Sequence, residues 1–105
     1  MAKQRTLFES IKFYKDRIGR AKSACRKIEK LLPAAQQAFD NAQKYENSEN
    51  SEERKIYLDA FTELTFLRAD LTKYKSCIIS DNEDLIKLEE LKAKIESEIQ
   101  ASQPE

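Results

Sequence analysis

Histidine is absent from the 105 residues, tryptophan is absent too, and glycine occurs once and proline twice. Each absence narrows the field. Without histidine the chain has neither the commonest general base nor the commonest metal ligand. Its two cysteines, Cys25 and Cys77, are not in CxxC spacing, and the sequence contains no glycine-rich phosphate loop and no Cys/His cluster. The adjacent acidic pairs Glu52-Glu53 and Glu89-Glu90 diverge by about 100° on a helix, so neither forms a clamped carboxylate dyad. The expectation is a protein that is not an enzyme and holds no cofactor or metal. The cysteines read as reduced thiols serving as small apolar residues.

Long apolar runs are also missing. No stretch reaches the eighteen residues of a membrane span, and MAKQRTLFESIKFYKDR has no apolar core of a secretory signal. A cytosolic or nuclear chain is expected, with cytoplasmic as the leading location and no membrane partner. Strand signals are confined to Cys77-Ile78-Ile79, too short and isolated to pair.

What is present is charge and helical periodicity. Charged residues make up 36% of the chain and apolar ones 40%, with Gly and Pro rare, a composition that suits surface-rich helices. Apolar or small residues recur at Leu7, Ile11, Tyr14, Ile18, Ala21, Cys25, Ile28, Leu32, Ala35, Phe39 and Ala42, alternating steps of four and three. That is a heptad seam, and it crosses Pro33 without losing phase. A helix over about 4–45, kinked at Pro33, is predicted. The polar run Glu46 to Glu53 is the main turn, with Asn50 or Ser51 as N-cap. A second seam, Tyr57, Ala60, Leu64, Leu67, Leu71, Tyr74 and Ile78, predicts a helix over about 52–79.

Beyond it, Ser80 and Glu83 have capping-box spacing, which favours a fresh start and a third, C-terminal helix over about 82–100. The same heptad phase nevertheless runs on through Asp81, Leu85, Leu88, Lys92, Ile95 and Ile99, so that helix either folds back or continues the second through a weak joint. The tail from Ala101 should fray. The fold class expected is all-α: a single domain over 1–105, an elongated antiparallel helical hairpin or bundle.

Antiparallel packing of the two seams requires facing residue numbers to add to a constant. A value of 99 satisfies the heptad phase and folds the chain back at 49 to 50, inside the polar turn. It pairs Ala21 with Ile78, Cys25 with Tyr74, Ile28 with Leu71, Leu32 with Leu67, Ala35 with Leu64, Phe39 with Ala60, and Ala42 with Tyr57. Small meets large in most of these, as even interhelical spacing requires. Two pairs do not fit: Ile18 meets Asp81 and Leu7 meets Lys92.

Residues 1–30 carry ten basic and three acidic side chains, and residues 80–105 three basic and eight acidic. Lys15, Arg17 and Lys22 flank the first seam while Asp84, Glu89, Glu96 and Glu98 flank the continuation of the second, a pattern that sets helix orientation. The competing use of this charge is a polyanion site on Lys12, Lys15, Lys22, Arg26 and Lys30, which share one arc of the first helix. No stacking platform and no DNA-binding motif accompanies them, and the net charge is zero.

Six large apolar residues fall off the seam: Phe8, Phe13, Ile56, Phe61, Phe66 and Ile86. A third helix folding back would cover several of them. Those left over, with Phe8, Phe13, Phe61, Phe66 and Ile86 as the candidates, would form a surface for a partner. The expected function is therefore a non-enzymatic helical protein-protein interaction module (an adaptor, inhibitor or dedicated chaperone) that works as a homodimer or in a helical, coiled-coil heterocomplex. The alternative is a small nucleic-acid-binding regulator using the basic stripe.

Overall fold

A computed structural model describes residues 6–102 of the chain. Two long helices, α1 (Leu7–Ala42) and α2 (Ser51–Ser102), lie antiparallel, joined by a 3₁₀ turn at Gln43–Tyr45 and a short polar loop. The described residues contain no strand. The hairpin measures 84 × 32 × 16 Å, a rod two helices wide.

Both helix starts are capped from the local sequence. The Thr6 hydroxyl accepts from the Glu9 N–H (3.1 Å) while the Glu9 carboxylate accepts from the Thr6 N–H (3.4 Å), a closed capping box. Asn50 caps α2: its side-chain oxygen accepts from the N–H groups of Glu52 (2.9 Å) and Glu53 (3.3 Å), and the acidic side chains of those residues suit the positive end of the helix. The turn is made without glycine and without a positive φ, the Glu46 and Ser48 N–H groups donating to the carbonyls of Gln43 and Tyr45.

Pro33 sits inside α1, which runs past it to Ala42. The ring leaves the Glu29 carbonyl without its intrahelical donor, and Pro33 itself points to solvent, on the position next to the seam. The long arm therefore stays with its partner: Phe39 packs against Tyr57 (5.8 Å between centroids) and Phe61 (5.9 Å), and Ala35, Ala42 and Leu64 are buried.

A third helix is not formed. α2 continues through Ser80-Asp81-Asn82-Glu83 without interruption, so the capping-box spacing there is not used as a cap. The physical reason is the unbroken heptad phase: no glycine or proline interrupts it, and Leu85 and Leu88 stay half-buried on the seam begun at Tyr57. Ser51 to Ser102 is one helix of 52 residues, roughly 78 Å long at 1.5 Å per residue.

The core is a single thin seam. Ile11, Ile18, Ala21, Cys25, Ile28, Ala35 and Ala42 of α1 and Leu64 of α2 are its buried apolar members, and among the described residues no side chain is completely buried. Three flanking contacts establish the register: Lys15 with Glu89 (3.6 Å), Glu29 with Lys75 (3.9 Å), and Gln36 with Arg68. From the first contact to the second one number rises by fourteen while the other falls by fourteen, and from the second to the third each moves by seven, whole heptads in opposite directions as antiparallel packing requires.

Candidate interaction surface

Asp81 occupies a seam position and is the one buried charged residue among those described, 2% exposed. Its Oδ2 lies 2.8 Å from Nε of Arg17, the residue just before Ile18, yet the approach is off line and that oxygen accepts no hydrogen bond. The mismatch of Ile18 with Asp81 is thus met sideways by a neighbouring arginine rather than by unpairing the helices. Arg17 also lies over the Phe13 ring, 5.9 Å from its centroid. Around this pair the wall is small: Ala21, Ala24 and Cys77, with Arg20 and Tyr74, line an open hollow of about 270 Å³.

The candidate partner residues are not gathered into one patch. Phe8 is 69% exposed near the start of α1. Phe13 is half-buried and meets Tyr14 edge-on at 5.5 Å. Phe61 belongs to the aromatic cluster beside the turn, with Tyr57 (6.3 Å) and Phe39. Phe66 and Ile86 are exposed on α2. Because no third helix folds back, the expected covering of Ile86 and its neighbours does not occur.

In heptad terms the surface divides into two flanks. Phe13 and Phe66 fall on one; Phe8, Phe61 and Ile86 fall on the other. Sequence reasoning missed further exposed apolar residues, among them Leu31, Ile79 and Leu91. Leu31 and Leu91 sit immediately beside seam positions and are absent from the six off-seam residues named from the sequence; sorting every large apolar residue by flank would have found them.

The five basic candidates, Lys12, Lys15, Lys22, Arg26 and Lys30, all project to solvent. Lys15 is paired with Glu89, and no ion pair holds the other four. No group of three potential metal ligands converges among the described residues, and no helix there is long and apolar enough to cross a membrane.

These features define an all-α antiparallel hairpin, closed along one seam and open along both flanks. The chain matches no protein-family model, and no curated protein sequence or solved structure is detectably similar to it.

Proposed function

We propose that the protein is a non-enzymatic helical interaction module, an adaptor, inhibitor or dedicated chaperone acting in the cytoplasm through its helical flanks. One observation carries this reading: a rod with a single thin seam leaves Phe8, Leu31, Phe66, Ile79, Ile86 and Leu91 each about half or more exposed. Side chains of this size in water are the usual anchors of helix-on-helix association, through dimerisation into a four-helix bundle or acceptance of a partner helix. The absence of histidine, the commonest general base, supports the non-enzymatic part of the reading. The bend expected at Pro33 belongs to the same reading, as it would curve the flank toward a partner.

The test is the mass and stability of the purified chain. Self-association above 12.2 kDa with a thermal midpoint that rises with concentration, or a bound protein released by Phe66→Ser, is the expected result. A monomer of unchanging midpoint that binds no protein overturns it.

A second reading is favoured by the unpaired Lys12, Lys22, Arg26 and Lys30: binding of nucleic acid along the α1 stripe. It requires an affinity that falls steeply with salt and drops on Lys22→Glu or Arg26→Glu; absence of binding at low salt eliminates it.

A further inference from the structure

The flank that carries Phe66 and Leu91 repeats every three and four residues down α2: Glu63, Phe66, Asp70, Lys73, Cys77, Ser80, Asp84, Lys87, Leu91 and Lys94. Reflected about the midpoint between Ile78 and Ile79, this strip pairs with itself. Glu63 meets Lys94, Phe66 meets Leu91, Asp70 meets Lys87, Lys73 meets Asp84, and Cys77 meets Ser80. Every acid meets a lysine, the aromatic meets an aliphatic, and the two small residues meet at the centre. A shift of one heptad in either direction loses this, setting Phe66 against Asp84 or Lys73 against Leu91. The opposite flank lacks the property too: folded about nearby midpoints, it sets Arg68 against Ile79 or Ile86.

The structure leaves this strip available. Phe66 is 65% and Leu91 47% exposed, and none of Glu63, Asp70, Lys73, Asp84, Lys87 and Lys94 is in an ion pair or side-chain hydrogen bond within the chain. The same flank of α1 matches in its apolar pair alone and has no acid-to-lysine pairing. Reflection about Lys22 pairs Phe13 with Leu31, Ser10 with Ala34, and Arg20 with Ala24. Arg17 then stands opposite Lys27, with its guanidinium already drawn to Asp81 at 2.8 Å. The two reflection points are level across the hairpin, since Ala21 and Ala24, which bracket Lys22, line one hollow with Cys77.

We propose that the occupant of this flank is a second copy of the chain, laid on the first with α2 antiparallel to α2 and α1 antiparallel to α1, about a two-fold axis at the height of Ile78 and Ile79. The proposal rests on the interaction-module reading and names its partner. A two-fold interface brings the same patch from both copies together, so a self-complementary strip is what it demands. Opposed charges at such positions select partner and register. The hollow lined by Ala21, Ala24 and Cys77 falls at the centre, where two backbones approach most closely.

Charge exchange tests it. Asp70→Lys places lysine against Lys87 of the second copy, twice per dimer, and Lys87→Asp does the converse with acids. Each is expected to weaken association about tenfold at low salt in sedimentation equilibrium, and Asp70→Lys combined with Lys87→Asp in one chain to recover to within about threefold of the parent. Both side chains are exposed, so helicity by circular dichroism should be unchanged in all three. Cys77 supplies a second measurement. The two thiols are offset by three residues, about 4.5 Å along the axis, on helices about 8–10 Å apart. A short bis-maleimide should therefore link Cys25→Ser chains into dimers and leave Cys77→Ser chains unlinked. A chain that still dimerises while the double exchange stays as weak as the singles overturns this interface and leaves the interaction reading standing. A monomer at every concentration overturns the interface, and the absence of any bound protein as well would remove that reading.

Discussion

Arg17 and Asp81 show how one residue can obey a pattern and defy its chemistry. Asp81 lies where the heptad places it, on the seam, and a carboxylate there is stable only with a cation at hand. Arg17 is half exposed, so the pair is only partly withdrawn from water and its attraction is screened on that side. Removing the cation leaves the anion buried: Arg17→Ala should cost roughly 1–2 kcal/mol of unfolding free energy, below the value for a fully buried pair. Replacing the anion with an apolar residue that fits the seam is a different matter. Asp81→Leu should leave stability unchanged or raise it, because Ile18 gains a matching partner. Urea unfolding of the two variants decides this; an Asp81→Leu chain less stable than Arg17→Ala would show that the carboxylate itself holds the hairpin together.

At the scale of the element, the two helices differ in what interrupts them. α1 contains Pro33, which deletes one hydrogen bond and crowds the preceding turn, yet the seam on either side holds the arm in phase. Pro33→Ala restores the bond to the Glu29 carbonyl at an exposed site. It should stabilise the hairpin by on the order of 2 kcal/mol, less than the full proline penalty, because alanine also frees the unfolded chain. A thermal or urea midpoint that does not rise would mean the surrounding backbone has already absorbed the lost bond. α2 has no such break. Its one local stop-and-start signal, Ser80 with Glu83, is overruled because ending the helix there would release the seam contacts of Leu85 and Leu88. Capping is worth about 1 kcal/mol, whereas each of those apolar side chains, even half-buried, contributes a comparable amount. The helix that continues keeps both its backbone bonds and its packing.

For the molecule as a whole, shape follows from one seam. Two helices of this length without a third layer make a rod 84 Å long and 16 Å across its thinnest dimension. If two copies stack flank to flank at the height of Ile78 and Ile79, their ends lie nearly in line, since that height is close to the middle of the rod. Small-angle scattering should then report a dimer whose longest dimension stays within about 10 Å of the single chain, from the 1.5 Å rise per residue and a small axial offset, while the mass doubles. An end-to-end dimer would roughly double the length instead and exclude the stacked arrangement. Because six charges of each chain take part, five of them exposed, the dimer should also weaken as ionic strength rises.

Heptad phase, written in residues such as Ile11, Ile18, Cys25 and Ile28 on one arm and Leu64, Leu67 and Leu71 on the other, was enough to determine an all-α hairpin, its turn near residues 46–50 and its register. Periodicity of this kind states which residues share a face, and a shared apolar face has only one low-energy place to go. The candidates Phe8, Phe66 and Ile86 could be listed as off-seam from the same pattern. Three matters were decided only in the tertiary structure: that α2 runs on as one helix through Ser80, that Asp81 is buried beside Arg17, and that the flanks lie uncovered. Each depends on a competition between a local preference and a contact made from the other arm. A cap signal is read along the chain, but the packing that overrides it, and the arginine that tolerates a buried carboxylate, come from more than sixty residues away.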